Sequence, residues 1–256
     1  MEEPLNQPNF EAGRGGRSGS SRPRSAESAN SGHANAGVDQ PHAVFEILGQ
    51  AYPDAHCELD FSSPYELLVA TILSAQCTDA RVNKVTPALF AKYPDAAALA
   101  GANRAELEEL IRSTGFFRNK ADNLLKLGPA LLAYGGEPPK DIDELVKLPG
   151  VGRKTANVLL SEAWNIPGLT TDTHFIRLSN RLGWVKTKNP EAVEREVGAL
   201  FDPSEWNRLD QRLIWHGRRR CHAKKPACGA CPVAELCPSY GTGPTDPEEA
   251  AKLVKE

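Results

Sequence analysis

Leu148-Pro149-Gly150-Val151-Gly152-Arg153-Lys154-Thr155-Ala156 is the stretch that decides how this 256-residue chain folds. A helical segment opened by Asp141 has to end at Leu148, because the residue before a proline is pushed out of the helical region. Gly150 and Gly152 then permit a hairpin that side chains would obstruct. Arg153 and Lys154 open the next helix, whose free N–H groups and positive dipole end can hold a phosphate. Two helices joined in this way, over about 141–164, make a helix-hairpin-helix phosphate clamp with Gly150, Gly152 and Arg153 as contacts. An ordinary glycine-bearing turn between helices is the bland alternative.

Helical periodicity extends outward from this point in both directions. Ser63-Pro64-Tyr65-Glu66 combines a Ser cap, Pro at the first helical position and Glu at the third, the devices of a capped helix start. Leu67, Leu68, Val69, Ile72 and Leu73 make that helix apolar on most sides, so it belongs at the centre of the fold. Further helices are predicted near 81–92, 104–114, 120–134, 153–164, 173–182, 190–200 and 205–218. No sustained alternation marks a strand. The predicted class is all-α.

The two ends differ from this body. Residues 1–38 are rich in Gly, Ser, Asn and Arg and nearly free of large apolar side chains, the composition of a disordered tail. Their acids (Glu2, Glu3, Glu11 and Glu27) argue against a transit peptide, although organellar targeting stays open. Residues 241–256 read as an irregular C-terminal extension. With 40% apolar and 25% charged residues and no long apolar run, the expectation is a soluble protein; a cysteine cluster without a secretory signal fits the reducing cytoplasm, and a monomer is expected. The net charge of −3 advertises no nucleic-acid partner, but Arg218, Arg219, Arg220, Lys224 and Lys225 crowd together without an acid among them. Such a run is either a phosphate footprint or a solvated face.

Two constellations carry chemistry. Lys154 at a helix N-terminus meets an unfavourable dipole, and partial burial would disfavour its charge further, raising the fraction of free amine. A free amine can form a Schiff base, and Asp172 in Thr171-Asp172-Thr173-His174 could shuttle protons beside it. Taken singly, Lys154 reads as a phosphate contact and Asp172 as a helix cap. The second is Cys221-x6-Cys228-x2-Cys231-x5-Cys237, four thiolates on one compact loop. With no secretory signal at its start, the sequence reads here as a metal site, for zinc or for an iron–sulfur cluster, with disulfides the alternative. Cys57 and Cys77 stand apart and fit apolar packing.

Together these motifs resemble the endonuclease III family of DNA glycosylases. Leu148 to Asn157 looks like the family's hairpin and nucleophile, Asp172-Thr173-His174 its catalytic aspartate segment, and the cysteine spacing its cluster signature. Leu59-Asp60-Phe61-Ser62-Ser63-Pro64, Leu73-Ser74-Ala75-Gln76 and Thr78-Asp79 resemble further recurrent segments, so that likeness runs from about 41 to 240.

The resemblance implies two helical lobes flanking a DNA-binding cleft. One is a six-helix lobe at 58–166; the other joins 39–57 to 167–240 and holds a [4Fe-4S] cluster on the four cysteines. It implies base excision repair of damaged double-stranded DNA: Lys154 displaces an oxidised pyrimidine from a flipped nucleotide, and β-elimination cleaves 3′ to the abasic site. Gln76, Phe116, His174, Arg219, Lys224 and Lys225 complete the implied DNA contacts. In a bacterial cell the site of action would be the nucleoid.

Two positions depart from the family pattern: Thr171 replaces the usual valine before the aspartate, and Phe116 stands where a leucine wedge is common. A monofunctional adenine-type glycosylase would lack lysine at position 154. A non-catalytic helix-hairpin-helix module would not need the Lys154 and Asp172 pair, and an electron carrier would not need the phosphate clamp.

Overall fold

The computed structural model describes residues 39–255. The predicted N-terminal tail, 1–38, lies outside them. The described residues contain twelve α-helices and short 3₁₀ turns, and no strand. None of these helices is long and apolar enough to cross a membrane.

α1 (Gln40–Ala51) is followed by α2 (Pro64–Ser74), α3 (Asp79–Lys92), α4 (Ala96–Ala100), α5 (Arg104–Ile111) and α6 (Phe117–Leu132). The single turn α7 (Ile142–Leu145) and α8 (Arg153–Trp164) flank the hairpin. α9 (Thr173–Arg181), α10 (Pro190–Gly198), α11 (Trp206–Arg219) and α12 (Pro247–Ala251) complete the chain.

Helix starts are written in the sequence. The Ser63 hydroxyl accepts from the Glu66 N–H, and Pro64 occupies the first position of α2. The expected capping box is only half formed, because the Glu66 carboxylate turns to the backbone and hydroxyl of Ser62 instead. Tyr65 and every residue from Leu67 to Leu73 are buried, so α2 is central. Each such large apolar side chain contributes roughly 1.5–3 kcal/mol through burial. The five-residue α4, capped by Asp95, is too short to show a period and was not expected.

Two hydrophobic cores result. One gathers α2 to α8, from Leu59 through Leu124 to Leu160. The other gathers Val44 and Leu48 of α1 with Leu169, Phe175, Leu213 and Val233 from the C-terminal part. The connection from α8 to α9 crosses from one core to the other.

The C-terminal segment is not the irregular extension its composition predicts. Asp246 caps α12, which packs on the 228–230 turn of the cysteine loop. Gly229 N–H donates to the Pro244 carbonyl at 2.9 Å, and Lys255 N–H to that of Arg219 at 2.8 Å. The proline- and glycine-rich spelling hid a helix held mainly by these long-range contacts.

Candidate functional site

The hairpin is built by backbone geometry. Asp141 caps α7, Val151 N–H returns to the Leu148 carbonyl at 3.1 Å, and Gly150 carries the turn at φ +79°. A Cβ on Gly150 would also stand 3.0 Å from the Asn123 side chain. Gly152 differs from expectation: its φ is −95°, and a Cβ there would meet nothing within 4 Å. The hairpin does not require that glycine, so what its missing side chain keeps open is approach from outside. Gly152 is the N-cap of α8 and supplies no side-chain acceptor, which leaves the first-turn N–H groups available to an anion.

Lys154 is exposed in that first turn, so the partial burial expected of it is absent. Among the described residues its ammonium has no hydrogen-bond or ion-pair partner. Arg153 beside it is engaged, its guanidinium forking onto both oxygens of Glu194 at 2.8 Å each. A free phosphate contact by Arg153 would first have to break that fork.

Asp172 reaches the same cleft from the other core. It caps α9, with Oδ1 accepting from Phe175 N–H at 2.7 Å, while the second oxygen has no protein partner among the described residues. The segment before it, from Gly168 to Thr171, is buried yet irregular, so side chains must satisfy its backbone. Asn157 Nδ2, three residues after Lys154 on α8, donates to the Leu169 carbonyl at 2.9 Å. From α11, the Asp210 carboxylate oxygen accepts from Thr170 N–H at 2.9 Å. Burial pushes the Asp210 carboxyl well above the usual carboxylate range. A Cβ on Gly168 would stand 2.8 Å from the Asn157 carbonyl oxygen, which is why the loop can lie so close to α8. Lys154 and Asp172 thus line one cleft, together with Ser74, Val158, Asp79 and Arg218.

The remaining predicted contacts are distributed unequally. Phe116 is 64% exposed and Gln76 is exposed, and both adopt left-handed backbone, at φ +46° and +53°. His174 is half-buried, with Nδ1 3.0 Å from the Arg177 guanidinium and the ring beside Gly217 of α11. Burial lowers its pKa.

The basic run is corrected by tertiary contacts. Arg218 pairs with Glu58 and, at 2.9 Å, with Asp79; Arg219 pairs with Glu58 at 3.0 Å and stacks on Trp215. Arg220 reaches the Tyr52 hydroxyl at 3.3 Å, and Lys225 pairs with Glu249 at 3.1 Å. Among the described residues only Lys224 of the five lacks a partner. The cleft residues that sequence reasoning did not place in the site, Glu58, Asp79 and Arg218, form this ion-pair network at its wall. Asp79 sat in a motif already noted, but no local signal joined it to Arg218.

The four loop cysteines line a single cavity with Leu48, Leu178 and Val233. Burial pushes the Cys231 thiol up to about 12 and raises that of Cys237. Ionising such thiols together requires a cationic partner. No group of three or more Cys, His, Asp or Glu side chains among the described residues is arranged to hold a single metal ion. Four cysteines facing one cavity fit a cluster of several irons held by thiolates. The surrounding donors are in place: Arg181 Nη1 lies 3.1 Å from Cys221 Sγ, and His216 Nε2 lies 3.5 Å from Cys231 Sγ. Cys57 and Cys77 both pack partly buried against the first core.

Comparison with known proteins places this geometry. Residues 69–203 match the model of the HhH-GPD superfamily of base excision DNA repair proteins, and residues 221–237 that of the iron–sulfur binding domain of endonuclease III. Endonuclease III of Synechocystis sp. is 54% identical over 198 residues, covering 77% of this chain and 90% of the relative. The Escherichia coli K12 endonuclease III is 42% identical over 197 residues, covering 76% and 92%. A structure of a non-covalent endonuclease III–DNA complex superposes with a TM-score of 0.76 at 45% identity, covering 79% of this chain and 96% of that one. A trapped covalent endonuclease III–DNA intermediate gives the same score and identity, covering 79% and 97%.

Proposed function

The chain belongs to the endonuclease III family of base excision repair enzymes, and from that premise we propose that it is a bifunctional DNA glycosylase and abasic-site lyase acting on oxidised pyrimidines. The observation that carries this reading is the convergence of Lys154 and Asp172 on one cleft from two separate cores. The cores support a division into two lobes, 58–166 and 39–57 plus 167–240, with double-stranded DNA crossing between them.

In this reading the unpartnered Asp172 oxygen takes a proton from the Lys154 ammonium. The freed amine attacks C1′ of a flipped nucleotide; the new C–N bond forms as the glycosidic bond breaks and the base departs. Opening of the sugar gives an imine. Loss of a C2′ proton then expels the 3′ phosphate oxygen, and hydrolysis of the imine restores the amine. The α8 N-terminus supports a role in anchoring a neighbouring phosphate.

The cofactor is a [4Fe-4S] cluster, for which Cys221, Cys228, Cys231 and Cys237 are the proposed ligands. Its contribution is structural, tying the loop that presents Lys224. The bacterial relatives support action on the nucleoid in the cytoplasm.

The test is incision of a duplex carrying one oxidised pyrimidine, with the product ends identified. Asp172→Asn should retain binding and lose turnover on the order of 10²–10⁴-fold, the range of general acid–base contributions. Base release by the wild-type protein without strand cleavage would assign it to the monofunctional class.

A further inference from the structure

Lys120 lies on α6, only 4% exposed, and takes no part in the chemistry above. A buried ammonium without a carboxylate is costly, and none pairs with it among the described residues. Burial lowers its pKa below the ordinary lysine range. Its partners are two carbonyl oxygens far apart in sequence, Leu73 at 2.7 Å and Thr114 at 2.8 Å. Both close a helical element. At the end of α2, Ala75 N–H returns to Ile72 and Cys77 N–H to Ser74, so neither uses the Leu73 carbonyl. Thr114 ends the 3₁₀ turn Arg112–Thr114. A cation here answers the negative ends of two elements at once.

The backbone just beyond each of these carbonyls is unusual. Only three non-glycine residues among those described have positive φ, and two of them are Gln76 and Phe116. They stand three residues after Leu73 and two after Thr114, both exposed. Left-handed backbone at a large side chain persists only where the surroundings impose it. The Lys120 ammonium spans both turns, holding the carbonyl that precedes each, while its backbone N–H makes the ordinary first-turn bond of α6 to the Phe116 carbonyl at 3.1 Å.

We propose that Lys120 is a positioning residue that fastens the Gln76 and Phe116 loops into one rigid pair, which enters double-stranded DNA and opens the lesion base pair. The proposal rests on the DNA-repair reading and on Gln76 and Phe116 being the residues that enter the stack. Opening a paired base costs unstacking energy that an abasic site does not demand. Lys120 therefore governs preference for paired lesions over abasic sites, rather than the chemical step.

The experiment compares single-turnover strand cleavage of two duplexes by the cluster-loaded protein, one with a paired oxidised pyrimidine and one with an abasic site. Lys120→Met removes the donors at similar bulk. It should slow cleavage of the paired lesion by about tenfold to a hundredfold, the cost of small misplacement, and leave abasic-site cleavage within about threefold. Equal losses on both substrates, or none, overturn the proposal. Lys120→Gln retains N–H donors on a shorter side chain and should show the same selective loss in smaller degree; an equal loss on both substrates overturns it there as well. Gln76→Ala and Phe116→Ala separate the two failures. If they too lack selective loss, the reading of those loops falls; if they show it and the Lys120 variants do not, only the clamp falls. In the wild-type protein the backbone order parameters of Gln76 and Phe116 should match those of the helices, near ~0.85, and values under about 0.6 at both would contradict a rigid pair.

Discussion

Lys154 stands exposed in the first turn of α8 with no side-chain partner among the described residues, whereas at the end of α11 Arg218 and Arg219 meet Glu58 and Asp79. The two regions are spelled alike, as cations beside a helix end, and differ in availability. The acids that neutralise the second region are Glu58, between α1 and α2, and Asp79, which opens α3, at distances in sequence that no local window spans. A cation is a site only where the fold leaves it unanswered. The same comparison demotes Arg153, already forked onto Glu194, and promotes Lys224.

Removing the platform of the second region should have the largest effect. Cys228→Ser takes one of the four thiols from the cavity, and it should sharply lower both the yield of folded protein and its affinity for DNA. Normal stability and binding in that variant would show that the loop stands without the cluster. Within a folded protein, Lys224→Ala should make the slope of log K against log salt shallower by roughly 0.9, one phosphate contact, on damaged and undamaged duplex alike. Arg219→Ala, whose guanidinium is held by Glu58 and Trp215, should change that slope much less. If the two variants behave alike, pairing in the free protein does not decide which cations meet phosphate. The smallest effect is expected of Glu249→Gln. It releases Lys225 from an exposed pair of the kind worth little, so affinity should rise only severalfold with a slightly steeper salt slope. A weaker complex would mean that Glu249 orders the loop instead of masking it.

Much of the fold was legible because its signals are local. α8 occupies Arg153–Trp164 and Asp172 caps α9, as capping and periodicity require. The four cysteines meet in one cavity because a compact loop leaves them little choice. Features made by long-range contact were not legible. α12 depends on the turn it packs against, and the burial anticipated for Lys154 depends on how open the cleft is. Gly152 reads as a steric necessity of the turn, yet its surroundings are empty. Lys120 looks like any helical lysine until two carbonyls 47 and six residues away are brought to its ammonium.

Covalent trapping tests the role of Lys154 most directly. If its amine forms an imine with C1′, borohydride will reduce that imine to a stable amine and leave the wild-type protein fixed to a lesion-containing strand. Lys154→Gln keeps much of the side-chain bulk without the nucleophile, and it should bind the same duplex while giving neither trapped complex nor strand cleavage. Robust trapping by Lys154→Gln would show that another amine is the nucleophile, and that exposure in this cleft had been misread as reactivity.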